Sequence, residues 1–76
     1  MAEPLIYQEQ AKNILRAELK RQGFSYKDLA AALGEKGVQE TDKNIANKLS
    51  RGTFTAAFLL MVLDVIGCKT IRVRDE

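Results

Sequence analysis

Five side chains clustered near the middle of the chain, Lys43, Asn44, Asn47, Lys48 and Arg51, have the types and spacing to recognise another molecule. An asparagine amide both donates to and accepts from the edge of adenine, an arginine forks onto guanine, and a lysine neutralises phosphate. Set at three- and four-residue steps off the apolar positions Ile45 and Leu49, they would stand together on the outer side of one helix. The plain alternative is the solvated face of an amphipathic helix, and polarity alone supports it equally. The balance of types favours a nucleic acid: three bases and two asparagines face one acid, Asp42.

The parts that catalysis needs are sparse. The 76 residues include no histidine and one cysteine, Cys68, so no intrachain disulfide forms and no zinc site can be assembled from the usual nitrogen and sulfur ligands. Asp64 is the one acid inside an apolar stretch, expected to face solvent or cap, and no pair of carboxylates is spaced for a shared proton. Gly34 and Gly37 are followed by no Lys-Ser or Lys-Thr pair, so there is no phosphate-binding loop. Cys68 has no histidine base and reads as a buried structural thiol. The expectation is a binding protein rather than an enzyme, with no cofactor and no metal.

With 46% hydrophobic and 29% charged residues the composition is that of one folded domain, 1–76, with a modest core that a second subunit or a ligand would strengthen. The formal charge is only +2, but Lys12 to Arg51 holds nine bases and five acids, the acids lying mainly towards the ends. The longest apolar run, Ala56 to Leu63, is too short to cross a bilayer, and Met1-Ala2-Glu3-Pro4 lacks the basic and apolar parts of a secretory signal. A soluble protein of a reducing cytoplasm is expected, with no membrane partner.

Four helices must position these residues. Tyr7 to Gln22 carries the stripe Tyr7, Ala11, Ile14, Leu15, Leu19 and is stopped by Gly23. Ser25, with Asp28 in a variant capping box, starts a second helix from Tyr26 to Gly34 or Lys36 on the stripe Tyr26, Leu29, Ala30, Leu33. The segment 34–40 reads as a turn with Val38 as an apolar plug; Thr41 then caps a helix to Arg51, buried through Ile45 and Leu49 and closed by Gly52. Thr53 or Thr55 caps a fourth helix running to Ile66, apolar nearly all round, which is the central core helix or one that also shows an apolar face to a partner. Thr70 to Arg74 alternates like a strand, and Leu5-Ile6-Tyr7 could pair with it within the chain or across a dimer.

The strings Tyr26-Lys27-Asp28-Leu29-Ala30 with Leu33-Gly34, Asn44-Ile45-Ala46-Asn47-Lys48-Leu49-Ser50-Arg51-Gly52, and Leu63-Asp64-Val65-Ile66-Gly67 resemble the phage repressor and Cro type of helix-turn-helix over residues 10 to 68. The chain is also similar to a group of small, uncharacterised bacterial domains sharing Tyr-x-x-Leu-Ala and Lys-x-x-Arg-Gly-x-Phe, here Tyr26 to Ala30 and Lys48 to Phe54. The resemblance implies a mainly α, four-helix, repressor-like domain, to which the alternation at the two ends of the chain adds short terminal strands as an option. It also implies that Ser25, Tyr26 and Lys27 touch phosphates, that Thr41, Lys43, Asn44 and Asn47 approach base edges, and that Lys48 and Arg51 clamp the flanking backbone. Tyr26 reads equally well as a core residue whose hydroxyl reaches the surface. The turn before Thr41 is several residues longer than the family's tight turn. It is either an extra half-turn of helix with a wider loop, or a sign that the third helix no longer projects as a reader.

Two functions follow. One is a sequence-specific double-stranded DNA-binding protein, a homodimeric transcriptional regulator whose dimer contact lies in 54–66 or 69–74. The other is a protein-protein interaction or dimerisation module on the same scaffold, using the apolar fourth helix or a strand edge. An ordinary intramolecular core and a strand pairing at home explain those two segments equally well.

Overall fold

Helix starts in this chain are set by three hydroxyl caps. In a computed structural model that describes residues 4–73, the helices are α1 (Leu5–Gln22), α2 (Tyr26–Glu35), α3 (Asp42–Arg51) and α4 (Ala56–Val65). The Ser25 hydroxyl accepts from the Asp28 N–H while the Asp28 carboxylate accepts from the Ser25 N–H, each at 3.0 Å, completing a capping box at α2. Thr41 accepts from the Asn44 N–H at α3, and Thr55 from the Phe58 N–H at α4. Thr55, not Thr53, is therefore the cap of α4, which leaves Phe54 just outside the helix with its ring 5.8 Å from that of Phe58.

The ends of α1, α2 and α4 share one device. The N–H groups of Gly23, Gly37 and Gly67 turn back to carbonyls of Lys20, Gly34 and Asp64, and those of Phe24, Val38 and Cys68 to Leu19, Leu33 and Leu63. The residue after each glycine is half-buried and packs on the core, as anticipated for the Val38 plug. Satisfying the last carbonyls and docking an apolar side chain thus happen in the same three residues.

Each helix contributes a pair four residues apart to the core: Leu15 and Leu19, Leu29 and Leu33, Ile45 and Leu49, Phe58 and Val62, joined by Leu63 and Ile66. Each such side chain contributes about 1.5–3 kcal/mol by leaving water. α3 packs against both α2 and α1, and α2 also against α4. α4 is a core helix that buries Phe58, Val62 and Leu63 but leaves Leu60 66% exposed.

Both terminal strands are corrected. Leu5-Ile6-Tyr7 form the first turn of α1 behind Pro4, because a three-residue β-prone string with no partner gains more hydrogen bonds by extending the helix. Thr70 to Val73 form no strand; the segment lies along α1, where the Gln10 amide donates to the Val73 carbonyl at 3.1 Å, and Arg74 lies outside the described residues. Tyr7, expected on the buried stripe, is 56% exposed, since α1 reaches past the core at its N-terminal end. What anchors that end is a backbone contact: α3 closes on Gly52, which lies directly against the Gln8 carbonyl of α1.

Candidate nucleic-acid interface

α3 begins and ends with local chemistry that fixes which face it shows. Ile45 and Leu49 are fully buried, so Lys43, Asn44, Asn47, Lys48 and Arg51 are all turned to solvent. The side chains of Lys43, Asn44, Asn47 and Arg51 make no hydrogen bond or ion pair among the described residues. Ten residues give a rod about 15 Å long, a length that fits within one passage of a major groove.

Lys48 differs from its neighbours. Its ammonium pairs with Glu40, whose side chain is mostly buried in the turn before α3, and lies 4.8 Å from the centre of the Phe58 ring. It is the staple that ties the long turn and α4 to α3, and as an ion pair it presents little net charge. The long turn itself is a wide loop, 36–41, with Val38 tucked inward, and α2 extends only to Glu35.

At the start of α2, Ser25 and Lys27 are exposed and Tyr26 is half-buried against the core, as its place on the apolar stripe suggested. The Ser25 N–H and hydroxyl oxygen are both engaged by Asp28. The Ser25 N–H first, and then the Ser25 hydroxyl, hold the Asp28 carboxyl below its usual 3.8, so the helix start carries a firm negative charge. That charge occupies the positive end of α2, where a phosphate would otherwise be attracted.

The nine candidate residues fall into separate groups. Thr41 and Asn44 line a groove with Ala30 and Gly34 of α2; Lys48 and Arg51 line another at the far end of α3 with Thr53 and Thr55; Ser25 and Tyr26 share a third with Arg16 and Lys20 of α1. Lys43, Asn47 and Lys27 are exposed and line none of these hollows. Arg16 and Lys20 were not among the sequence candidates, although their four-residue spacing off the α1 stripe put them on one outer face.

Sequence reasoning also missed Glu18, the buried charged residue at the junction of α1 with the C-terminal segment, 5% exposed. Its carboxylate accepts from Arg21 at 2.8 Å and from the Cys68 thiol at 3.3 Å, and that thiol also points to the Thr70 carbonyl at 3.2 Å. Cys68, expected to be buried, is only half-buried; desolvation, then the hydrogen bond and charge of Glu18, raise its thiol above the usual 9.0. The signal was present: Glu18 stands four residues after Ile14 and three after Leu15, inside the apolar stripe. Asp64, by contrast, is exposed as anticipated.

Among the described residues no three His, Cys, Asp or Glu converge as a metal site, and no helix is long and apolar enough to cross a membrane. No curated protein and no solved structure matches the chain. A family model described as a domain of unknown function, DUF6471, matches residues 7–71. Nearly the whole four-helix unit lies inside that match, from the first turn of α1 to Ile71, and the chain belongs to the DUF6471 family.

Proposed function

We propose that this domain binds double-stranded DNA and acts as a repressor-like transcriptional regulator, with α3 entering the major groove. The observation that carries the reading is the outer face of α3: Lys43, Asn44, Asn47 and Arg51 are exposed and, among the described residues, bonded to no other side chain, so their donors and acceptors are available to base edges and phosphates. Lys43 and Arg51 supply the phosphate contacts, and Asn44 and Asn47 the base contacts. One lone pair of the Thr41 hydroxyl oxygen is spent on capping α3, which leaves its hydrogen and the second lone pair for a ligand. Arg16 and Lys20 of α1 line a hollow with Ser25 and Tyr26, and Lys27 is exposed, which gives the start of α2 bases of its own for phosphate. A homodimer would place two copies of α3 on the two halves of a symmetric site.

Fluorescence anisotropy against a random duplex pool over a salt series, followed by selection of the bound fraction, tests this directly. The expected result is affinity that falls steeply with salt, roughly 0.9 in log K per log unit of salt for each phosphate contacted, and an enriched motif with two-fold symmetry. Absence of binding at low salt removes the proposal.

A second reading, a protein-interaction module, is favoured by the exposed apolar residues Leu5, Ile6 and Leu60, 74%, 70% and 66% accessible. Replacing Lys43 and Arg51 with glutamate separates the two: it removes DNA binding under the first reading and leaves a complex formed through α4 nearly intact under the second.

A further inference from the structure

One sizeable hollow among the described residues lies away from the α3 face. It is a cleft of about 660 Å³ between α1 and the segment 70–72. That segment is held to α1 at both ends, by the Cys68 thiol on Glu18 and by the Gln10 amide on the Val73 carbonyl, and it arches over the space between. The walls are Ile14, Ala17 and Ile71, and the polar rim includes Arg21 and Arg72.

The charges of the described residues that line this cleft do not cancel. Glu18 is buried and neutralises Arg21, and in doing so holds one guanidinium nitrogen of Arg21 at the rim, while the Arg21 side chain stays mostly exposed. Arg72 has no acidic partner among the described residues, so the charged residues that line the cleft, Glu18, Arg21 and Arg72, leave an excess of one positive charge among them, beside an aliphatic wall.

We infer that this cleft binds a small organic monoanion, a carboxylate on a short branched aliphatic body, with the carboxylate between Arg21 and Arg72 and the body on Ile14, Ala17 and Ile71. One negative charge balances Arg72 without competing with Glu18, and a forked guanidinium matches a carboxylate geometrically. A dianion would leave excess charge against buried Glu18, and a cation would meet Arg72. The occupant would bridge α1 and the C-terminal segment, and the inference does not depend on the DNA-binding reading.

The test is an amide-resolved NMR titration of the intact chain with 3-methylbutanoate, run against sodium chloride at equal ionic strength and against the neutral alcohol 3-methylbutanol. Saturable shifts at Ala17, Arg21, Thr70 and Arg72 are expected, with Arg72→Gln weakening binding about tenfold, the loss of one charge-assisted contact. Ala17→Leu, which fills the cleft from an exposed helix position, should abolish the shifts while leaving the remaining spectrum folded. The inference is overturned by no saturable shift up to about 20 mM, a concentration that detects even a very weak site. It is equally overturned by shifts that sodium chloride or the alcohol reproduces, by shifts that map elsewhere, or by affinity unchanged in Arg72→Gln.

Discussion

At Gly52 two constraints meet in one residue. Its φ of 66° lies in the left-handed region, and a Cβ built there would stand 2.3 Å from the Gln8 carbonyl oxygen. Gly23 shares the first constraint, with φ of 78°, and lacks the second, with nothing within 4 Å. Gly23→Ala should therefore cost about 1 kcal/mol, the backbone conformation alone, and Gly52→Ala roughly 2–4 kcal/mol, because α1 must also move away from α3. Urea denaturation of the two variants side by side isolates the close approach. Asp28 gives a pH signature at the same scale. Its carboxyl is more acidic in the folded chain than in the unfolded one, so its contribution is present above the ordinary carboxylate range and lost as pH falls through the lowered value. Asp28→Asn should flatten that acid limb of the stability curve, read by thermal melts between neutral and strongly acidic pH. Cys68 follows from its own neighbours: alkylation by iodoacetamide at mildly alkaline pH should be slower than for a free thiol, and Glu18→Gln should speed it.

α3 is the element in which structure and proposed recognition compete for the same side chains. Lys48 is tied to Glu40 and lies over Phe58, so the charge offered to DNA resides in Lys43 and Arg51. Lys43→Glu with Arg51→Glu should reduce binding to random duplex by at least about tenfold at low salt and shrink the salt slope by roughly two contacts, with little change in melting temperature because both residues are exposed. Glu40→Gln makes the opposite prediction for affinity. Freed from its partner, Lys48 becomes available to phosphate, so binding tightens and the salt slope grows by about one contact while the loop 36–41 loosens. Both effects are read in the same anisotropy series.

Across the whole molecule, four helices share one core of ten buried apolar residues, and no helix has a separate core of its own. Truncating Ile45, which sits where α3 meets its neighbours, should cost about 2–5 kcal/mol, a large fraction of the stability of a domain this small. Such a variant is expected to be substantially unfolded at room temperature by circular dichroism. The exposed apolar residues are spread over α1, α4 and the C-terminal segment, at Leu5, Ile6, Tyr7, Leu60 and Val73. If dimerisation through α4 accompanies DNA recognition, Leu60→Glu should yield a monomer by analytical ultracentrifugation and weaken binding to a two-fold symmetric site more than to a half-site.

The helices themselves were legible because their signals are local. Ser25, Thr41 and Thr55 each lie within three residues of the N–H they cap, the glycines mark the ends, and the apolar pairs recur at the helical period. The polar outer face of α3 was likewise legible, since burying Ile45 and Leu49 dictates where residues 43, 44, 47 and 48 point. The sequence could not decide what depends on distant partners. A strand exists only if another strand accepts its hydrogen bonds, and neither Leu5-Ile6-Tyr7 nor Thr70 to Val73 found one, so the first joined α1 and the second became an arch across it. Which lysine is spent on an internal ion pair depended on the path of the loop that carries Glu40. The burial of Glu18 was decided fifty residues away, where Cys68 and Thr70 close over α1 and leave the cleft beside Arg21 and Arg72.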